Sequence, residues 1–223
     1  MKNILIYGDS NSWGNIAGSF NPETMLHQRY EYDARWPGIL QKLLGADYHV
    51  IEACLNGRNT SFDEIGFFKT SRNGLAAFSA ELDAHYPLDL VIFMLGTNDV
   101  KIPFNANVKR IVDGMRGLVR TAKASCFGRN GQAPHILLIS PAPICVADYP
   151  LYKELFDLSS VEKSRQLATH YAKLAEEEGC TFMDAAPYVK VSVKDGVHLE
   201  QESHGTLAKA VAEKIQREEI CKN

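Results

Sequence analysis

The sequence opens with MKNILIYGDSNS (residues 1–12), in which an apolar segment leads directly into a glycine, an acid and a serine. The segment from Asn3 to Tyr7 is hydrophobic over consecutive positions rather than at alternate ones. That pattern is typical of a strand covered on both faces, as in parallel sheets that lie between two layers of helices. The opening therefore predicts a buried parallel strand whose carboxyl end carries Gly8, Asp9 and Ser10.

Further short apolar segments of the same kind recur along the chain. Four are rich in Ile, Leu, Val and Phe: Tyr48 to Ala53, Leu90 to Leu95, His135 to Ile139, and Cys180 to Met183. Helical patterns fill the intervals, and repeated strand–helix–strand units imply right-handed parallel crossovers. We therefore expect an α/β fold, three-layered and doubly wound, with about five parallel strands in flavodoxin-like order, as a single domain over residues 1–223.

Three helices are indicated by their apolar spacing or by their starting signals. Apolar residues recur at 3.6-residue spacing between the third and fourth strands: Val108, Ile111, Val112, Met115, Leu118, Val119 and Ala122. Ser159 and Glu162 have the spacing of a capping box, which predicts a helix that begins at Ser159. Ser203 is the expected N-cap of the closing helix.

Composition excludes several classes of function. The chain has 223 residues, 45% of them hydrophobic, and a net charge of -3 with no basic stripe, so a nucleic-acid partner is not expected. No apolar stretch approaches the ~20 residues that span a bilayer, and the N-terminal apolar run is too short for a signal peptide, so we expect a cytoplasmic protein that is not bound to a membrane. Its five cysteines are scattered without a CxxC motif, which disfavours a disulfide framework or a zinc site.

Small polar segments follow the predicted strands. They are Gly8-Asp9-Ser10-Asn11-Ser12, Asn56-Gly57-Arg58, Gly96-Thr97-Asn98-Asp99, Ser140-Pro141-Ala142-Pro143 and Asp195-Gly196-Val197-His198. Ligands of open α/β sheets bind outside the carboxyl ends of the strands. These segments therefore predict one site at a single edge of the sheet.

The residue types at this edge suit acyl transfer. A serine hydroxyl needs a base, and the base works best when a carboxylate fixes its tautomer. Ser10 is the expected nucleophile, and the Asp195/His198 pair supplies the carboxylate and the base. The expected oxyanion donors are the backbone N–H groups of Ser10 and Gly57 and the side-chain amide of Asn98. This chemistry needs neither metal nor cofactor, and we expect none.

The remaining site expectations concern the pocket and the long loops. We expect the substrate pocket to include Asp9, Asn11, Trp13, Pro141 and Ile144. Two irregular stretches, Asn11 to Arg35 and Pro141 to Phe156, are candidates for functional loops. The second holds Tyr149, Tyr152 and Phe156, which could wall the crevice or bury apolar surface in a homo-oligomer. Asp99 is expected to be structural, as are His27 and His204.

The polar blocks Gly8-Asp9-Ser10, Gly57, Gly96-Thr97-Asn98-Asp99 and Asp195-Gly196-Val197-His198 together resemble the four blocks of the SGNH (GDSL-type) hydrolase family, in family order. Trp13, Arg35-Trp36, Pro87-Leu88-Asp89-Leu90 and Met94-Leu95 resemble its bacterial arylesterase/acyltransferase branch. The resemblance implies cofactor-free hydrolysis of short acyl esters, with acyl transfer or perhydrolysis in some multimeric members. The chain departs from the family pattern at Asn11, where the GDSL motif has leucine.

Other functions remain open at this stage. A carbohydrate or other small-molecule deacetylase would use the same three residues on a different leaving group. A flavodoxin-like nucleotide-binding module fits the fold, but no strand is followed by G-x-G-x-x-G or G-x-x-x-x-G-K-[ST]. A pseudo-enzyme would have a disabled block, and all four blocks are intact. The sequence therefore favours a serine esterase that acts on small-molecule esters.

Overall fold

The chain forms a five-stranded parallel sheet, seen in a computed structural model that describes residues 1–64, 70–218 and 220. The strands are β1 (Lys2–Gly8), β2 (Tyr48–Cys54), β3 (Leu90–Met94), β4 (His135–Ser140) and β5 (Thr181–Asp184). Their order is β2-β1-β3-β4-β5, which is the flavodoxin-like order that the sequence predicts. Ile4 of β1 pairs with Val50 on one side and Leu90 on the other. The predicted fold class is confirmed.

Helices cover both faces of this sheet. They are α1 (Ser10–Trp13), α2 (Trp36–Leu44), α3 (Gly74–His85), α4 (Val108–Ala124), α5 (Pro150–Lys153), α6 (Leu158–Glu178) and α7 (Gln201–Arg217). On one face α2 packs against α7, and on the other α4 packs between α3 and α6. Helix α4 buries the apolar stripe expected of it except for Val108, which is half-buried.

Two apolar cores lie on opposite sides of the sheet, because alternate residues of each strand point to opposite faces. In β1, Leu5 and Tyr7 belong to the core beneath α3, α4 and α6, whereas Ile4 and Ile6 belong to the core beneath α2 and α7. All five residues of β3 are buried. This continuous burial explains why the central strands are hydrophobic at every position.

The starts of two helices differ from the sequence expectations. Helix α6 begins after Asp157, whose carboxylate accepts a hydrogen bond from the Ser160 backbone N–H at 2.8 Å, so Ser159 is not its N-cap. An ionised carboxylate caps well because it also interacts with the helix dipole. Helix α7 begins after Glu200, and Ser203 lies inside its first turn, where the Ser203 hydroxyl donates to the Lys190 carbonyl at 3.2 Å. Both predicted N-caps are therefore wrong.

The two long loops are less irregular than expected, since the first contains α1 and the second contains α5. Within the described part of the chain, no helix combines the length and the apolarity needed to cross a bilayer.

Candidate active site

Ser10 stands at the carboxyl end of β1, as the first residue of the one-turn helix α1. Asp9 is the N-cap of this helix, and its carboxylate accepts a hydrogen bond from the Asn11 backbone N–H at 2.9 Å. Helix α1 ends at Gly14, whose φ of +91° is strained for any residue with a side chain. The Ser10 side chain is thereby fixed at the edge of the sheet and is 5% exposed.

A continuous hydrogen-bonded chain links Ser10, His198 and Asp195. His198 Nε2 lies 2.9 Å from Ser10 Oγ, and His198 Nδ1 lies 2.8 Å from Asp195 Oδ2. The histidine and aspartate side chains are buried. Because an ionised carboxylate can only accept, Nδ1 carries the proton and Nε2 is left to accept from the serine hydroxyl.

The Asp195 carboxylate accepts four hydrogen bonds. Its Oδ1 accepts from the backbone N–H groups of Val197 and His198, both at 3.0 Å. Its Oδ2 accepts from His198 Nδ1 and from the Gly18 backbone N–H at 2.8 Å. Burial acts to raise the pKa of Asp195, but the His198 ring and these backbone donors outweigh it and hold that pKa well below the usual carboxyl range. Asp195 is therefore ionised throughout the neutral range.

The turn that carries Asp195 and His198 depends on Gly196. This glycine has a φ of +75°, and a Cβ added there would lie 2.1 Å from the carbonyl oxygen of Cys145. The Gly196 carbonyl in turn accepts the Cys145 backbone N–H at 2.9 Å. This close backbone approach ties the turn to the loop after β4.

Asn11 joins the two halves of the site. Its side-chain amide donates to the Val197 carbonyl at 3.2 Å, and its carbonyl oxygen accepts the Leu199 backbone N–H at 3.0 Å. These two partners flank His198 in the chain. Asn11 therefore fixes the position of the His198 backbone relative to Ser10.

Gly57 and Asn98 lie at the ends of the neighbouring strands and line the same cavity as Ser10. The Asn98 side-chain amide donates one hydrogen bond to the Arg58 carbonyl at 3.1 Å, and its second N–H has no acceptor among the described residues. The Arg58 guanidinium is buried, stacks 3.9 Å from the Tyr7 ring centroid and donates to the Gly8 carbonyl at 3.2 Å. Arg58 thus fastens the Gly57 loop to β1, the strand that leads into Ser10.

Two buried carboxyl groups lie behind the site. Asp99 accepts hydrogen bonds from the Thr60 backbone N–H, at 2.9 Å, and from the Thr60 hydroxyl. Burial raises the pKa of Asp99 to about 7, against the opposing effect of those Thr60 donors, and burial raises the pKa of Asp9 to about 6. Asp99 is fully buried and ties the Asn98 turn to the loop after β2.

A cavity of about 210 Å³ opens beside Ser10. Its wall is formed by Ser10, Asn15, His27, Asn56, Gly57, Glu64, Asn98, Lys101, Leu151, Tyr152, Glu154, Leu155, Phe156, Val197 and His198. One side is apolar and comes from α5 and the residues that follow it. Another side carries an ion pair, in which Lys101 Nζ lies 2.9 Å from Glu64 Oε1 and both side chains are largely buried. The cavity therefore combines an apolar wall with a charged one.

The residues expected in the pocket lie elsewhere. Among the described residues around this cavity, none of Asp9, Asn11, Trp13, Pro141 and Ile144 forms its wall. Asp9 caps α1 and Asn11 bridges to the His198 turn, as described above. The Trp13 ring centroid lies 4.7 Å from the Arg29 guanidinium. Pro141 and Ile144 are buried after β4, where the Ile144 N–H donates to the Ser164 hydroxyl.

Several residues that line the cavity were not predicted as site residues. Asn15, His27 and Glu154 lie in the two stretches expected to be functional loops, but no periodicity singles them out there, and Glu64 lies outside both stretches. Lys101 could have been found, since it lies only two residues beyond the Gly96–Asp99 block. Of the aromatic residues proposed as a wall, Tyr152 and Phe156 do line the cavity, and the Tyr152 ring centroid is 5.7 Å from that of His198.

Comparison with known proteins identifies the family. The model of the GDSL-like lipase/acylhydrolase family matches residues 6–205. This chain belongs to the GDSL-like lipase/acylhydrolase family. It is therefore a carboxylic ester hydrolase by class, and the predicted resemblance to SGNH hydrolases is confirmed.

Solved structures of members of this family cover almost the whole chain. An aryl esterase from M. smegmatis is 34% identical, with 97% of this chain and 99% of that chain aligned and a TM-score of 0.89. A carbohydrate acetylesterase from Sinorhizobium meliloti has the same identity and coverage and a TM-score of 0.88. A putative arylesterase from Agrobacterium tumefaciens is 33% identical over 97% and 99% of the two chains, with a TM-score of 0.84. No curated protein sequence matches the chain.

Some hydrolases use a bound metal ion in catalysis. Among residues 1–64, 70–218 and 220, no group of three or more His, Cys, Asp or Glu side chains is arranged to hold a metal ion.

Proposed function

We propose that the protein hydrolyses short-chain acyl esters through an acyl-enzyme formed on Ser10. The observation that carries this proposal is the chain of hydrogen bonds from Ser10 Oγ to His198 Nε2, at 2.9 Å, and from His198 Nδ1 to Asp195 Oδ2, at 2.8 Å. His198 accepts the serine proton as Ser10 Oγ attacks the ester carbonyl carbon. It then returns that proton to the departing alcohol oxygen.

The negative charge of the tetrahedral intermediate needs donors that are already in position. The backbone N–H groups of Ser10 and Gly57 and the free N–H of the Asn98 amide supply them. Asp195 stays ionised and supports the imidazolium form of His198. Water then attacks the acyl-enzyme with His198 as base, which releases the acid and restores Ser10.

The cavity supports small acyl groups. At about 210 Å³, it is too small for a long acyl chain together with a bulky alcohol. We expect rates on p-nitrophenyl esters to be highest for acetate and butyrate and to fall at octanoate. Ser10→Ala and His198→Ala should abolish turnover of all of them, and wild-type kcat in His198→Ala would refute the proposed base. Deacetylation of carbohydrates is the alternative within the same chemistry.

Acyl transfer to alcohols is a second candidate, favoured by the apolar wall of Leu151, Tyr152, Leu155 and Phe156. Such a wall lowers the local activity of water while it still admits a small organic nucleophile. With vinyl acetate in water containing benzyl alcohol, we expect benzyl acetate beside acetic acid. If acetic acid is the sole product, the transferase activity is refuted and the esterase proposal stands.

Three further properties stay predictions: a single domain over residues 1–223, a cytoplasmic location, and a homo-oligomer. The aromatic residues Tyr152 and Phe156 do not argue for subunit contacts, since they face the cavity. Light scattering on the purified protein would measure the assembly directly.

A further inference from the structure

A second imidazole lies in the cavity beside the proposed catalytic one. His27 lines the cavity together with Ser10 and His198, and its ring centroid is 6.2 Å from that of His198. Its Nδ1 atom is enclosed and has no hydrogen-bond partner among the described residues. Because Nδ1 is enclosed, a molecule in the cavity can reach only the other ring nitrogen, Nε2, which is not among the enclosed atoms of the described residues.

The loop that carries His27 is held in place by its own hydrogen bonds and by the site. Residues 14–30 form an irregular hairpin in which the Ile16 N–H donates to the Gln28 carbonyl at 3.0 Å and the Tyr30 N–H donates to the Gly14 carbonyl at 2.8 Å. The Gly18 N–H of the same loop donates to Asp195. The position of His27 is therefore coupled to the proposed catalytic residues.

His27 is a neutral group at neutral pH. Burial lowers the pKa of His27 to about 4, and the neighbouring His198 lowers it further than the negative Asp195 restores it. A neutral imidazole presents one donor and one acceptor and adds no charge beside the base. Such a group suits a hydroxyl group better than it suits a carboxylate or a phosphate.

The distance between the rings fits two neighbouring oxygens of one small molecule. During turnover the alcohol oxygen of the ester lies next to His198 Nε2, and each hydrogen bond spans about 2.8 Å. Two imidazole rings whose centroids are 6.2 Å apart can then contact adjacent oxygens of a diol.

We propose that His27 determines specificity by hydrogen bonding to a hydroxyl group adjacent to the ester in the leaving alcohol. The enzyme then favours acetates of diols and sugars over acetates of simple alcohols. This inference rests on the proposed function, because Ser10 and His198 fix where the leaving alcohol lies. If His27 only packs on Phe20, whose ring centroid lies 5.0 Å from its own, replacing His27 should change kcat/KM equally for all substrates.

A matched pair of substrates tests the proposal. 2-Hydroxyethyl acetate and propyl acetate have the same size and differ in one hydroxyl group, so the ratio of their kcat/KM values isolates its recognition. Wild-type protein should prefer 2-hydroxyethyl acetate. In His27→Phe, which keeps a ring but has no polar atom, that ratio should fall about tenfold, a change typical of the loss of one polar contact. His27→Gln, which keeps a donor, should recover part of the ratio.

Each result decides the question. p-Nitrophenyl acetate has no such hydroxyl group, so its kcat/KM in His27→Phe reports the general effect of the substitution on the cavity, and the loss on 2-hydroxyethyl acetate should exceed that effect about tenfold. A wild-type ratio near one overturns the proposal without any variant, and so does an equal loss on all three substrates in His27→Phe. Ser10→Ala tests the esterase mechanism separately from the role of His27. If Ser10→Ala retained activity, the acyl-enzyme mechanism would be refuted whatever the ratio of kcat/KM values for the two acetates.

Discussion

Replacing Asn11 should show how far turnover depends on the position of His198, because the substitution leaves the proposed catalytic side chains unchanged. Its amide bridges the Ser10 helix to the backbone on both sides of His198, with hydrogen bonds of 3.2 and 3.0 Å to Val197 and Leu199. Asn11→Ala removes both bonds. It leaves a buried carbonyl and a buried N–H without partners, while Ser10, His198 and Asp195 are unchanged.

The expected loss of stability follows from these two groups. Leaving a buried polar group unsatisfied costs ~1–3 kcal/mol, so for two such groups we expect the free energy of unfolding to fall by about 2–6 kcal/mol. For a chain of this size each 1 kcal/mol lowers Tm by roughly 2–4 °C, which gives a decrease of about 4–24 °C. Because the His198 turn loses its attachment to Ser10, kcat should fall by about 10- to 100-fold, with little change in KM.

Thermal unfolding and steady-state kinetics on p-nitrophenyl acetate measure both effects. Ser12→Ala is the matched control, since the Ser12 hydroxyl in the same helix is buried without a hydrogen-bond partner among the described residues. Its Tm and kcat should stay near those of the wild type. A positioning role for Asn11 would be refuted if Asn11→Ala kept wild-type kcat, or if Ser12→Ala lost as much activity and stability as Asn11→Ala.

Two further predictions concern the oxyanion and the buried carboxyl groups. Asn98→Ala should lower kcat by about 100- to 1000-fold, as loss of one preorganised donor does, and an unchanged kcat with a raised KM would reduce Asn98 to a substrate contact. Because the folded-state pKa values of Asp99 (about 7) and Asp9 (about 6) are raised, the folded protein binds more protons than the unfolded chain between pH 4 and 7. Their contribution to stability is therefore complete below pH 4 and is lost as the pH rises to about 7. Between pH 5 and pH 8, the decrease in the free energy of unfolding, measured by urea unfolding, should be about 2–4 kcal/mol smaller in Asp99→Asn than in the wild type. An unchanged decrease would contradict the raised pKa of Asp99.

The sheet could be predicted because its strands are hydrophobic at consecutive positions. The gathering of polar residues could be predicted because the carboxyl ends of parallel strands lie at the same edge of the sheet. Ser10, Gly57, Asn98 and His198 each follow a strand or approach the same edge, and the structure places them around one cavity.

The pocket wall could not be predicted in the same way. Trp13 packs against Arg29, a partner that no local pattern indicates. His27 and Glu64 lie in loops whose course is set by hydrogen bonds between distant residues. The helix starts were misassigned where several capping residues stand close together, as Asp157, Ser159 and Ser160 do.

The central claim is that Ser10 is the nucleophile, and covalent labelling tests it most directly. A fluorophosphonate reacts with an activated serine and leaves an adduct that peptide mass spectrometry can locate. We predict a single adduct on Ser10 in the wild-type protein, formed in step with loss of esterase activity, and no labelling of Ser10→Ala or His198→Ala. An adduct on any other residue, or full inactivation with Ser10 unmodified, would contradict the proposed mechanism.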